Sequence, residues 1–174
     1  MSRRSVAIAA ALSVLALGSP FGTASANPLA RQYFNQGVEK YETGNYQGAI
    51  TDWSRAIEIN PRHAGTYFNR GNAKHDLKDY QGAIADYTKA IEINPQYAFA
   101  YTNRGNSKSG LKDYQGAIAD YSKAIEINPE YANAYVNRGL VRERASDLEG
   151  ACRDWRKAVD LGDERPAEWV KKQC

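Results

Sequence analysis

AGTYFNRGNAKHDLKDYQGAIADYTKAIEINPQY, residues 64–97, returns at once as AFAYTNRGNSKSGLKDYQGAIADYSKAIEINPEY, residues 98–131, with eight of 34 positions changed. Looser copies flank the pair at 30–63 and 132–165. Self-similarity at a fixed period marks an array of like units, each burying one face on its neighbour, so function falls to the outer surface of the stack.

Within the unit 64–97, Tyr67, Gly71, Ala73 and Leu77 fall at helical spacing, and Ala83, Ile84, Tyr87, Ala90 and Ile91 do so again. Two amphipathic helices are predicted. Lys78-Asp79 separates them, with Asp79 a good N-cap for the second, and Asn94-Pro95 ends it because a residue before proline disfavours the α region. Each unit is therefore a helical hairpin.

The set Tyr67, Gly71, Tyr80, Ala83, Tyr87, Ala90, Pro95 recurs as Tyr101, Gly105, Tyr114, Ala117, Tyr121, Ala124, Pro129. The first copy gives Tyr33, Gly37, Tyr46, Ala49, Trp53, Ala56 and Pro61; the fourth gives Tyr135, Gly139, Leu148, Ala151, Trp155 and Ala158. This pattern resembles the tetratricopeptide repeat over residues 30–165. The resemblance implies an all-α solenoid of four helical hairpins. The fourth copy ends on Gly162-Asp163 instead of Asn-Pro, and Trp169 stands where Tyr67, Tyr101 and Tyr135 stand in their units. Residues 166–174 are accordingly read as a C-terminal capping helix over the last core face.

Residues 1–26 lie outside the repeats. Arg3 and Arg4, an apolar run from Val6 to about Gly18, and Ala24-Ser25-Ala26 together read as a cleavable export signal, with a mature domain of 27–174. The apolar run is short for a bilayer span. Export to a periplasm is the default expectation, with a thylakoid lumen or secretion as alternatives. Beyond the signal, 21 basic residues face 20 acidic ones, so no strongly charged partner is indicated and nucleic acid is a poor fit.

The seventh residue of copies two to four is arginine (Arg70, Arg104, Arg138), where the first has Gln36; all four carry Asp52, Asp86, Asp120 or Asp154 further on. Because only the copy without a predecessor lacks arginine, a ladder between successive units is expected: Asp52–Arg70, Asp86–Arg104, Asp120–Arg138 and Asp154–Lys172. Solvated surface charges are the alternative.

In the tetratricopeptide family the first helices line a concave groove that binds extended peptides or a partner helix. Four of the eight changes between the closest copies fall on positions that the resemblance places in or near that groove: Gly65/Phe99, Phe68/Thr102, His75/Ser109 and Asp76/Gly110. Asn35, Asn69, Asn103 and Asn137, joined by Asn72 and Asn106, form a candidate row of backbone-binding amides, since an Asn amide both donates and accepts. Ordinary packing is the competing explanation. Phe34, Phe68 and Phe99 are candidates for an apolar floor. One class of the family grips chaperone C-termini with Lys, Asn and Arg; matching positions here hold Phe34, Val38, Asn69, Phe99 and Asn103, without the basic residues, so that ligand is not expected.

Cys152 and Cys174 are a candidate disulfide pinning the cap, two separate thiols being the alternative; no Cys-x-x-Cys supports redox chemistry. His63 and His75 have no companion ligands in the sequence, and no metal or other cofactor is expected. The reading is a non-catalytic scaffold that binds another protein or peptide in its groove, in the assembly or stability of an exported or membrane complex. A homo-oligomeric structural module, a homodimer for instance, and a thiol accessory using Cys152 and Cys174 are the alternatives.

Overall fold

A computed structural model describes residues 27–174. The expected export signal, residues 1–26, lies outside the described residues. The helices run α1 (Pro28–Glu42), α2 (Tyr46–Ile59), α3 (Ala64–Asp76), α4 (Tyr80–Ile93), α5 (Ala98–Gly110), α6 (Tyr114–Ile127), α7 (Ala132–Arg144), α8 (Leu148–Asp160) and α9 (Ala167–Gln173). The fold class read from the repeat is the observed one: α1–α8 form four successive hairpins, each packed on the next, and α9 packs on α8.

The side chains at the helix ends explain the boundaries. Asn45, Asp79, Asp113 and Asp147 each N-cap a second helix, the side chain accepting from the amide of Gly48, Gly82, Gly116 or Gly150 at 2.9–3.0 Å. The first helices end in a left-handed residue, Gly44 (φ 77°), Lys78 (63°), Lys112 (64°) or Ser146 (65°). At Lys78 the flanking amides fold back onto His75 and Lys74 carbonyls, both at 2.8 Å, which is a Schellman ending.

Inside each hairpin a glycine meets a large aromatic. A Cβ on Gly71 would lie 2.7 Å from the Tyr87 ring, so only glycine lets α3 approach α4 this closely. Ala49, Ala83, Ala117 and Ala151 are fully buried along the same seam. Trp53, Tyr87, Tyr121 and Trp155 fill the core at 0–1 % exposure. At the far end Trp169 of α9 meets Trp155, ring centroids 5.3 Å apart, and packs beside Tyr135, Val136 and Ala158. Cys152 and Cys174 are joined in a disulfide with Cα atoms 5.6 Å apart, which ties the end of α9 to the buried side of α8.

The charged residues correct the expected ladder. Arg70 Nε and Nη2 donate to both oxygens of Asp86, in its own hairpin, at 2.9 and 2.6 Å. Arg104 grips Asp120 and Arg138 grips Asp154 in the same bidentate way, at 2.7–2.9 Å. Asp52–Arg70, Asp86–Arg104 and Asp120–Arg138 are therefore not the pairs. Lys172 is exposed and has no ion pair among the described residues, while Asp154 is taken by Arg138 and Arg142. The reason is geometric: the seventh residue of the first helix faces the aspartate of the second helix across the hairpin, so the carboxylate is saturated before another unit can reach it.

What each arginine does send to the preceding unit is its third nitrogen. Nη1 of Arg70, Arg104 and Arg138 donates to the hydroxyls of Ser54, Thr88 and Ser122 at 2.9–3.0 Å. Gln36 belongs to the first unit, which has no preceding hairpin among the described residues to offer a hydroxyl. In the fourth unit, which no later arginine contacts, that hydroxyl position holds Arg156. A second cation per unit completes each site: Lys74, Lys108 and Arg142 lie 2.7–2.8 Å from the same aspartates, and in the first unit Lys40 reaches Asp52 at 2.5 Å. The aspartates are 1–4 % exposed. These are near-buried, hydrogen-bonded clusters, whose disruption leaves uncompensated charge.

Candidate peptide-binding groove

The inner surface built by α1, α3, α5 and α7 carries a series of adjoining recesses. Between the first two units lies one of about 260 Å³, walled by Val38, Tyr41 and Trp53 with Asn69, Asn72 and Glu42. Between the second and third units is one of about 180 Å³, lined by Tyr41, Asn72, His75, Asp76, Tyr87, Asn103 and Asn106. The next, about 300 Å³, takes in His75, Tyr80, Asn106, Ser109, Gly110, Tyr121, Asn137, Leu140, Val141 and Arg144. Asn72 belongs to the first and second, Asn106 and His75 to the second and third, so the three form one continuous trough. A further recess of about 300 Å³ at the start of α1 and α3 includes Arg31, Phe34, Asn35, Asn60 and His63.

The asparagines divide into two kinds. Asn72 Oδ1 accepts from the Tyr87 hydroxyl and from Asn103 Nδ2, both at 2.8 Å. Asn106 Oδ1 accepts from Tyr121 at 2.8 Å and Asn137 at 3.1 Å. Asn72 and Asn106 are thus committed to the scaffold as acceptors for hydroxyls that burial has stripped of water. Burial likewise raises the pKa of Tyr87 and Tyr121 far above the ordinary tyrosine range. Asn103 and Asn137 give one hydrogen to this chain of amides and keep a carbonyl and a second hydrogen in the trough. Asn69 faces Val38 in place of an asparagine, and Asn35 is exposed at the edge.

The sequence carried a signal for this division. Asparagine at the ninth position accompanies tyrosine in the second helix (Asn72 with Tyr87, Asn106 with Tyr121), whereas Val38 and Leu140 accompany Trp53 and Trp155. An indole has no hydroxyl to satisfy; Trp53 Nε1 turns instead to the Phe34 carbonyl at 3.1 Å.

The three phenylalanines do not assemble into one floor. Phe34 meets His63 edge-on at 5.4 Å beside the Trp53 cluster; Phe68 is packed against Tyr87 and Tyr97; Phe99 is 53 % exposed and touches Tyr131. No two of them are in ring contact among the described residues: Phe34 and Phe68 hold the fifth position of successive units, and Phe99 the second position of the next.

Titratable groups mark the middle of the trough. Tyr41 donates to Asp76 Oδ2 at 2.6 Å, and burial followed by that bond raises the Tyr41 pKa beyond its usual range. His75 Nδ1 lies 2.9 Å from Ser107 Oγ, a hydroxyl that also has the Asn103 carbonyl at 3.1 Å. Partial burial lowers the His75 pKa, against the opposing charge of Asp76. At the far end Arg144 Nη1 makes a long 3.4 Å contact with Ser109 and has no carboxylate partner among the described residues. Among those residues no group of three or more His, Cys, Asp and Glu side chains is placed to hold a metal ion, and no helix is long and apolar enough to cross a membrane.

Comparison with known proteins places this architecture. The tetratricopeptide repeat profile matches residues 64–97 and 98–131, and a second profile of the repeat matches 37–78. No curated protein matches the sequence. Among solved structures, the crystal structure of MamA superposes with a TM-score of 0.75 at 25 % identity, over 81 % of this chain and 83 % of that one. The Arabidopsis OM64 TPR domain gives 0.65 at 28 % identity, over 67 % and 96 %. The first TPR of Spaghetti (RPAP3), bound to the HSP90 peptide SRMEEVD, gives 0.68 at 23 % identity, over 72 % and 99 %. With the repeat matched across its central units and the hairpin stack observed throughout, the chain belongs to the tetratricopeptide repeat family.

Proposed function

We propose that the chain is an exported, non-catalytic scaffold that holds an extended segment of a partner protein in the trough between Val38 and Arg144. The observation that carries this reading is the continuity of the three recesses, joined through Asn72, Asn106 and His75 and rimmed by amide groups with spare hydrogen-bonding capacity. An extended chain cannot satisfy its own backbone, and Asn69, Asn103 and Asn137 offer it partners along the trough. That a solved domain of the same fold carries a bound peptide supports a peptide ligand at the level of the fold. The chaperone-tail ligand of that domain does not transfer, because Phe34, Val38, Asn69, Phe99 and Asn103 lack the cationic residues a terminal carboxylate would need. A role in the assembly or stability of an exported or membrane complex is part of the proposal, resting on the family resemblance together with the export reading of residues 1–26.

The test is photo-crosslinking in the source cell, with the reactive group placed at Asn69 in the trough or at Ala85, exposed on α4, followed by mass spectrometry of the joined peptides. A partner segment joined at Asn69 and absent at Ala85 is the expected result; equal yields at both sites would move the interaction off the groove. Intact mass of the protein recovered from the same cells tests the export reading, which requires a chain starting at Asn27.

A further inference from the structure

The three recesses differ in chemistry, in the order in which an extended segment would meet them. The first is apolar: Val38, Tyr41 and Trp53 wall it, and Glu42 stands at its rim. The second is an acceptor site. Asp76 has one carboxylate oxygen on Tyr41 and the other without a hydrogen bond among the described residues, and the His75 ring lines the same recess. No cationic side chain lines it. The third combines Leu140, Val141 and Tyr80 with the Arg144 guanidinium, which has only the long Ser109 contact; the neighbouring Glu143 does not line this recess.

Resting on the groove reading above, we infer that the bound segment carries an apolar, a basic and an acidic side chain, about three residues apart, seated in the first, second and third recesses. The spacing follows from the fold. Each recess sits between successive units, whose neighbouring first helices lie roughly 10 Å apart, and an extended chain advances about 3.3 Å per residue. A lysine or arginine in the second recess meets the Asp76 carboxylate, and a carboxylate in the third meets Arg144 in its fork geometry. Reversing the two charges would set like against like at both places, so the trough also rejects the opposite pattern. The closest repeat copies support the assignment: Asp76 becomes Gly110 one unit on, so the third recess, where the cation sits, has no carboxylate at that position.

The experiment is selection of random twelve-residue peptides against the 27–174 chain, with affinities of the enriched sequences then measured by fluorescence anisotropy. The expected outcome is enrichment of an apolar, basic, acidic series at two- to four-residue spacing, in either chain direction. Asp76→Asn, which keeps an acceptor for Tyr41, should weaken such a peptide about tenfold, and Arg144→Glu by at least as much. Exchanging the peptide's acidic residue for lysine should restore binding to the Arg144→Glu chain. Circular dichroism and urea midpoints matched to the parent establish that both variants fold. Enriched peptides without the charge pair, or affinities that neither variant changes by more than twofold, overturn this inference and leave the groove reading standing. Failure to enrich any peptide overturns both.

Discussion

Asn72→Val is the sharpest probe of how the trough is built. The substitution copies the residue that the first unit already uses, Val38, and changes side-chain volume little. It deletes the acceptor of two hydrogen bonds of 2.8 Å, one from the Tyr87 hydroxyl and one from Asn103. Tyr87 is 1 % exposed, so its hydroxyl loses its partner away from water, which costs about 1–3 kcal/mol. Asn103 is only half-buried and recovers most of its bond from solvent, adding about 0.5 kcal/mol. The sum is a loss of roughly 1.5–3.5 kcal/mol. Tyr87→Phe alone leaves the Asn72 carbonyl with its Asn103 bond only and should cost about 1 kcal/mol. Combining the two removes donor and acceptor together, so the double variant should be at least 1 kcal/mol more stable than the sum of the singles predicts. Urea unfolding followed by circular dichroism measures this, the m-value being checked for constancy because repeat arrays can unfold in parts. Additivity within about 0.4 kcal/mol would refute the idea that Asn72 is held by the scaffold, and would return it to the set of free groove amides.

Four further outcomes follow from the same contacts. Asp86→Ala should cost about 3 kcal/mol, because Arg70 and Lys74 keep buried, uncompensated charge, and a double-mutant cycle should couple it to Arg70 and find it additive with Arg104; coupling to Arg104 alone would revive the ladder between units. Lys78→Gly should stabilise by about 0.5 kcal/mol, since φ is 63° there and Gly44 fills the same position of the first unit; an unchanged or lower urea midpoint counts against strain at that turn. Reducing the Cys152–Cys174 bond, which closes a loop with a sequence separation of 22, should lower stability by about 3 kcal/mol and release α9 first, seen as a red shift of Trp169 and Trp155 emission; an unmoved midpoint would show that the bond does not anchor the cap. His75 is held below its ordinary 6.5, so its unfolded form binds the proton more readily; the stability it contributes is present above pH 6.5 and is lost as pH falls through 6.5 toward the folded-state value. His75→Gln should flatten the fall in urea midpoint between pH 7 and 5.5, and an identical fall in both chains would assign it elsewhere.

The hairpins were legible because their determinants are local. A capping Asp or Asn, glycine opposite an aromatic and Asn-Pro at the end of a unit each act within a few residues, and a 34-residue period aligns four trials of the same experiment. The arginine–aspartate pairing was not legible from the same alignment. Residues repeated at one period are equally consistent with contact inside a unit and contact with the next, because both choices leave the same pattern. What separates them is the residue that changes at the ends of the array: the hydroxyl at Ser54, Thr88 and Ser122 becomes Arg156 where no later unit brings an arginine at its seventh position. The asparagine row failed as a uniform class for a related reason. Asn69 and Asn72 lie three residues apart on one helical face, yet Asn72 alone lies within reach of a buried hydroxyl, a distinction visible only by comparing it with the tyrosine or tryptophan 15 residues further on. The phenylalanines were grouped by type, although Phe99 holds a different position of the repeat from Phe34 and Phe68.

The end units explain why the chemistry of the trough is graded at all. An interior unit must satisfy two neighbours, and it does so with a fixed set: arginine toward the preceding hydroxyl, asparagine toward the following asparagine, tyrosine beneath it. Units two and three keep that whole set, which is why they differ so little. The first and fourth units each have one obligation fewer and depart from it where that obligation lapses. With Trp53 and Trp155 in place of tyrosine, no hydroxyl calls for an acceptor, and Val38 and Leu140 replace asparagine. Those replacements put apolar surface at both ends of the trough and leave the amide-lined, acceptor-rich recess in the middle. The order of side chains a bound segment would meet is thus a consequence of how a repeat array is terminated, with only Asp76, His75 and Arg144 added on top of it. Of these, Asp76 and Arg144 occupy the same position of the repeat, one unit apart from the glycine between them, Gly110. A change of sign at one position over three successive units costs the scaffold little, since none of the three side chains is buried. It is at such positions that a stack built on near-identical units can acquire a preference for one segment over another.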